Sequence, residues 1–456
     1  MTTVRGRFFG WSPVPGTDRP ELPSQDAFWR APANLAAHPP GTILRSRPVK
    51  IALMGVVPQQ VSAWQLLYRS NDLHGQPEVA VTTVMLPNGA ARGTNRPLLA
   101  FQSAIDAVTD RCAPSYALRR SARALGSVTQ LEWMLVANAL RRGWAVSIAD
   151  HQGLHGNFGV PREPGYRVLD GIRSALRFGP LGLNIDTPVA VWGYSGGGMA
   201  SSWVAEMAPT YAPELDIVGA VLGAPVGDPG EVFARLNGGY FAGFGAIVIA
   251  AIRRIYPILD RIIDENLSPE GLEFLEQAAR MTPVAAIWRL ASQNVDDFLR
   301  RPLAEILAEP DLQSMLGDLR LGHRTPACPL LVIQPVHDQV VHLECVEGQV
   351  DRYRRGGATV TYVRDSLSEH FTLLPLSTPM SLNWLEDRIA GIPVTDTRTH
   401  TFRSVALTLA GIRGMAEIVA TGTRVVLGLS LHEKVPRLPE APSRSHAQPA
   451  LRSTER

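Results

Sequence analysis

The chain has 456 residues, of which 45% are hydrophobic and 19% charged, with 44 basic against 42 acidic side chains. That composition belongs to a packed globular protein of one enlarged domain or two, and it excludes wholesale disorder. A formal net charge of +2 gives no electrostatic footprint for nucleic acid, so none is expected as a partner.

The N-terminal segment MTTVRGRFFGWSPVPG lacks the apolar core of an export signal, and the cellular address stays open between cytoplasm and export. Residues 1–60 read as an N-terminal arm. The first strands are expected at Trp64–Arg69 and Val79–Leu86, an antiparallel hairpin across the turn-rich DLHGQPE. Short β runs follow at Pro97–Phe101, Ala145–Ala149, Val189–Trp192 and Ile217–Leu222. Amphipathic helical stretches such as Gln130–Arg142 and Val168–Phe178 separate them, which predicts βαβ units. The fold class is therefore α/β, a mostly parallel central sheet flanked by helices, with residues 61–227 as the first part of its core.

From about Asp228 to Arg324 the pattern is helical throughout, so residues 228–325 are expected to form a helical cap inserted between two strands. Within it Leu236–Ile252 is a charge-free apolar stretch of 17 residues. It falls just short of a bilayer span and reads as a buried or lid helix. Strands resume at Leu330–Ile333 and Thr359–Val363 and complete the core over 326–392. Residues 393–456 read as an apolar helix and a disordered tail beginning at Lys434. Arg403, Arg413, Glu417 and Arg424 interrupt the apolar stretch too often for a membrane span. It is expected to pack on the cap, with a lipid interface as the alternative.

The sharpest local signal is VAVWGYSGGGMASSWVAE over 189–206. An apolar strand runs into Gly193-Tyr194-Ser195-Gly196-Gly197 and a helical pattern follows at once, the setting of a G-x-S-x-G nucleophile elbow. A serine on such a strained turn brings strand and helix so close that Gly193 and Gly197 are needed to avoid a clash. The turn also puts the Gly196 N–H at a helix start, where it can stabilise an oxyanion.

A serine hydroxyl needs an imidazole to take its proton. In this fold the acid and the histidine follow the serine, in that order. Asp338 comes just past the strand PLLVIQ, and His370 follows the strand ATVTYV by seven residues, in a loop before the last helix. His337 and His342 flank the acid and read as structural or surface residues. His151 and His155 precede the serine and could line the pocket, and His323 sits at the end of the cap. Asp365 is too close in sequence to His370 to serve it, and Glu369 is expected to face solvent.

These residues resemble the secretory lipase family of fungi and actinobacteria, typified by Candida antarctica lipase A, from about residue 25 to 392. Besides GYSGG the resemblance rests on AIDAVTDRCAPSY (104–116), ADHQGLHGNFGVPREPGYRVLDGIRSAL (149–176), AVLGAPVGD (220–228) and the PVHD and SEHF loops. It implies a lipase or carboxylesterase of the α/β-hydrolase superfamily with the triad Ser195, Asp338 and His370. It also implies an oxyanion hole made by the N–H groups of Gly196 and Asp106. Asp106 does follow the strand PLLAF, where a second donor belongs, although its side chain could instead cap a turn. The resemblance further implies a helical lid over an acyl pocket, and a bridge from the cysteine of the CAPS segment to one in the lid. Here Cys112 has no partner between residues 113 and 327, and the only other cysteines are Cys328 and Cys345.

The chemistry expected is two-step acyl transfer on a lipid or small-molecule ester, with no metal and no organic cofactor implied. An acyltransferase using the same three side chains is one alternative, and a lipid-binding protein of this fold without turnover is another. A peptidase is disfavoured because an apolar cap suits acyl chains. Lipid contact would come through the cap or the C-terminal helix.

Overall fold

The computed structural model describes residues 19–90 and 96–431. The proposed disordered tail from Lys434 lies outside the described residues. The chain opens with β1 (Ile43–Val49), the short ribbon β2 (Ala52–Leu53) and β3 (Val57–Pro58), and the hairpin β4 (Val61–Asn71) and β5 (Pro77–Pro87). Then come β6 (Leu98–Gln102), α1 (Pro114–Ala117), α2 (Thr129–Arg141), β7 (Ala145–Ala149), α3 (Glu163–Arg177), β8 (Val189–Tyr194), α4 (Gly196–Tyr211) and β9 (Ile217–Gly223).

Helices alone make up the next stretch. They are α5 (Pro229–Leu236), α6 (Ala242–Ile252), α7 (Pro257–Asn266), α8 (Pro269–Arg280), α9 (Pro283–Arg289), α10 (Leu303–Leu307) and α11 (Pro310–Leu319). The chain ends with β10 (Leu330–Pro335), α12 (Leu343–Arg355), β11 (Val360–Asp365), α13 (His370–Ile389), β12 (Thr399–Phe402) and α14 (Leu409–Val426).

Ten strands form one sheet in the order β1-β4-β5-β7-β6-β8-β9-β10-β11-β12. β1, β4 and β5 pair antiparallel, and every pairing from β7 through β12 is parallel. The central strands β6, β7 and β8 are buried along their whole length. They therefore read as unbroken apolar runs, as parallel strands covered on both faces must. One face carries α3, α4 and α12 through Leu169, Val204 and Val346. The other carries α2, α13 and α14 through Val136, Leu382 and Ile418.

Two edge strands depart from the sequence reading. Residues 1–60 are more than an arm, because β1 joins the sheet against β4 with Arg47 opposite Gln65. Residues 393–456 are more than a helix and tail, because β12 pairs parallel to β11 with Thr399 opposite Tyr362. Both carry polar, half-exposed sequences, ILRSRPV and THTF, with no apolar run to betray them. The two arginines of β1 also discourage its pairing with other chains.

The helices between β9 and β10 pack around Ile247, Leu259, Leu275 and Met315, a buried cluster that also takes in Phe158, Val160, Met199 and Trp203 from beneath them. They enclose an apolar cavity of about 90 Å³ walled by residues such as Phe233, Ile249, Phe274 and Leu316. The stretch Leu236–Ile252 is not one helix: α5 ends at Leu236 and α6 starts at Ala242. No single helix among the described residues is long and apolar enough to cross a membrane. Where the cap leaves and rejoins the core, its ends are clipped together. The Leu321 N–H donates to Gly227 O at 3.0 Å, and Arg320 pairs with Asp228 at 2.6 Å.

The C-terminal helix was expected on the cap and lies elsewhere. α14 packs on α2 and α13, with Ile418 and Val425 sunk into that core. The amphipathic pattern gave the existence of a buried stripe but not the surface that receives it.

Candidate active site

β8 ends where Ser195 takes φ 55° and ψ −122°, a left-handed backbone that costs a non-glycine residue about 1–2 kcal/mol. The surroundings hold it there. Ser195 N–H donates to Gly223 O at 2.9 Å, and Ser195 O accepts from Met199 N–H at 2.9 Å. A Cβ on Gly193 would lie 2.1 Å from Gly197 O, and one on Gly197 would lie 2.0 Å from Gln102 O. A third requirement went unseen in the sequence: a Cβ on Gly196 would fall 1.8 Å from Asp106 Oδ1.

His370 brings the other two groups to this serine. Its Nε2 lies 2.9 Å from Ser195 Oγ, and its Nδ1 lies 2.8 Å from Asp338 Oδ2. Asp338 is buried in the turn after β10, where its Oδ1 accepts the N–H groups of Val340 at 2.8 Å and Val341 at 2.7 Å. The Gln334 amide donates to its Oδ2 at 3.3 Å. A carboxylate so tethered presents one oxygen to the imidazole and orients the ring.

His370 is not in a loop, as expected, but is the first residue of α13. Nor is α13 the last helix. Glu369, expected to face solvent, is half-buried and caps α13, accepting Thr372 N–H at 2.7 Å and the Gln339 amide at 2.6 Å. In return the Glu369 N–H donates to Thr372 Oγ1 at 3.2 Å, which makes a capping box. Tyr194, placed in the elbow by its position alone, also donates its hydroxyl to His370 O at 2.6 Å. The elbow and the start of α13 are thereby tied together.

The rival residues go elsewhere. Asp365 is buried and accepts the N–H groups of Ser368 at 2.8 Å and Val405 at 2.7 Å. His337 is exposed, and His342 precedes α12. His323 bonds Gly317 O at 3.0 Å. His151 is buried with Nε2 2.8 Å from Ser103 O, and burial pulls its pKa down to about 4, which keeps it neutral.

Gly196 heads α4, so its N–H is among those a helix start leaves unpaired. Asp106 follows β6 with φ 45°. Its carboxyl is buried, its Oδ1 has no partner, and it caps no turn. Burial pushes its pKa up to about 7, opposed by the nearby charge of His370. With its amide turned to satisfy both ends, Gln152 accepts from Asp106 N–H at 3.3 Å and donates to Ala107 O at 2.8 Å.

Behind this loop lies Glu132, which the sequence reading missed. It takes the Ser103 hydroxyl on one oxygen and the Ala104 N–H at 3.1 Å on the other. Burial pushes its pKa from 4.5 up to about 8. The folded chain thus holds a proton there that the unfolded chain releases above pH 4.5, so stability falls as pH rises toward about 8. Glu132→Gln should remove that loss, at most about 1.4 kcal/mol per pH unit. Melting temperatures from pH 5 to 8 check it; parallel curves for the two proteins would refute it.

The three cysteines are free and buried. Burial pushes all three thiols up to about 12, and none forms the bridge that the resemblance implies.

A parallel sheet that turns through a strained serine into a helix, with a histidine and an aspartate delivered after two later strands, defines an α/β-hydrolase. Comparison then fixes the family. The family described as "Secretory lipase" matches residues 118–397, and the chain belongs to it. A protein of Mycobacterium tuberculosis named a probable inactive lipase is 50% identical over 416 residues, 91% of this chain and 93% of its own. Lipase A of Arthroderma benhamiae is 33% identical over 386 residues, 83% of this chain and 82% of its own. Among solved structures, Candida antarctica lipase A in its closed state superposes with a TM-score of 0.79 at 23% identity, covering 92% of this chain and all of that one.

Proposed function

We propose that the chain is a serine carboxylic-ester hydrolase, a lipase or esterase acting on acyl esters, triacylglycerols among them. The observation that carries this reading is the unbroken contact from Ser195 Oγ through His370 to Asp338, at 2.9 and 2.8 Å. Ser195 Oγ attacks the ester carbonyl carbon while His370 Nε2 takes its proton, and Asp338 holds the Nδ1–H and steadies the imidazolium. The carbonyl oxygen becomes an oxyanion facing the N–H groups of Gly196 and Asp106, the latter exchanging its long 3.3 Å bond to Gln152 for the oxyanion, and each donor is worth about 3 kcal/mol to the transition state. The tetrahedral carbon expels the alcohol, which leaves with the proton from His370. Water then adds to the acyl-enzyme with His370 again as base, and the acid departs as Ser195 regains its proton.

An acyltransferase would differ only in the second acceptor. A protein of this fold without turnover is favoured by the designation of the Mycobacterium tuberculosis relative, and the formed Ser195–His370–Asp338 contact counts against it.

A fluorophosphonate tests the nucleophile that both acyl-transfer readings share. One equivalent should attach to Ser195, located by peptide mass spectrometry, and a long-chain ester should compete with it. An unlabelled Ser195 in folded protein would end the proposal.

A further inference from the structure

Beside the loop after Asp106, Val108 and Thr109, with Leu125, Leu154 and His155, form one side of a groove of about 630 Å³ whose other side comes from the cap. Four exposed arginines line it, Arg111, Arg254, Arg280 and Arg289. They are poorly neutralised. Arg254 donates to His155 O at 2.6 Å, and Arg280 meets Glu276 only at 3.4 Å between two largely exposed side chains. The one acid lining the groove, Asp110, accepts Ser24 N–H at 2.9 Å.

The rim of this basic groove is apolar. Leu125 is 88% exposed and Trp288 is 73% exposed. They share one face, because the chain after Leu125 abuts the start of α9: a Cβ on Gly126 would lie 3.5 Å from Val284 Cβ. Along α9, Ala285 and Arg289 face the groove, while Val284 and Trp288, one turn apart, point outward and exposed. A tryptophan and a leucine held in water beside four cations fit no soluble small molecule as a set. They fit the boundary of a lipid layer, where an indole sits among headgroups and arginines meet phosphates.

We propose that this face docks the protein on an anionic lipid surface, with Trp288 and Leu125 entering the interface and Arg254 and Arg289 meeting headgroup phosphates. The chain as a whole is nearly neutral, so the attraction is local and the loop after Asp106 is turned toward the layer. The inference extends the ester-hydrolase reading by naming the form in which substrate is met, and rests on that reading only for its purpose.

The test uses full-length Ser195→Ala protein, so that docking is read without turnover. It should co-sediment with phosphatidylcholine vesicles containing phosphatidylglycerol, far less with phosphatidylcholine alone, and release as salt rises. Arg254→Gln with Arg289→Gln should weaken binding roughly twenty-five-fold, near fivefold per arginine. Brominated acyl chains should quench fluorescence in the parent and not in Trp288→Phe. In the Ser195 background the arginine pair should leave the rate on a soluble short-chain ester unchanged, which separates failure of docking from failure of catalysis. Equal binding to neutral vesicles, unaltered binding by the arginine variant, or displacement by low-millimolar inorganic phosphate without any lipid quench would overturn the proposal.

Discussion

Ser195→Ala lowers turnover of a p-nitrophenyl ester by about 10⁴-fold or more, with melting temperature and circular dichroism unchanged. Loss of the nucleophile removes the covalent route, and what remains is binding and the oxyanion donors. The variant should fold because Ser195 Oγ contributes only the 2.9 Å contact to His370, while the strained turn is held by backbone bonds that alanine keeps. His370→Ala should cost a similar factor. The double variant should fall no further, since the two groups act as one device. A Ser195→Ala protein that keeps wild-type turnover would sink the mechanism outright. A folded wild type inert toward every ester, yet labelled by the phosphonate, would place the defect in substrate access rather than in the nucleophile.

Gly193→Ala destabilises the chain by about 3 kcal/mol or more and removes labelling of Ser195. The added carbon would sit 2.1 Å from Gly197 O and 2.6 Å from Ser201 Oγ. The first of these is backbone and cannot rotate away. Nor can Gly197 retreat, because its own Cα already rests against the carbonyl of Gln102 on β6. The strand, the turn and α4 therefore must separate, and Ser195 leaves its place beside His370. Denaturant midpoints measure the loss. Gly422→Ala is the control: nothing lies within 4 Å of its added carbon, and a helical glycine exchanged for alanine gains about 0.5–1 kcal/mol. A Gly193→Ala protein as stable as this control would show that the turn is looser than its contacts indicate.

The sheet's centre was legible in the sequence because β6, β7, β8 and β10 bury whole strands, and burial on both faces leaves short apolar runs set between helical patterns. Its rims were not, since β1 and β12 alternate arginine, histidine and threonine with a few half-buried side chains. At the site, Ser195, Asp338 and His370 were readable because order and strand ends constrain them locally. Glu132, Gln152 and the hydroxyl of Tyr194 were not, because each acts across a contact between distant segments. The start of α13 could have been read. Glu369 and Thr372 stand three apart, a capping box with its usual residues exchanged, and that pattern would have put His370 at the helix start.

The clip formed by Gly227, Asp228, Arg320 and Leu321 closes the long excursion between β9 and β10 at its neck. The strands themselves therefore meet two adjoining chain ends, while the cap also makes contacts with α4 and the loop before α3. Evolution can exchange the intervening ninety-odd residues as a cassette, altering what enters the cleft while the serine, the imidazole and the carboxylate keep their spacing. Substrate preference and catalytic geometry are thus free to change at different rates within one chain.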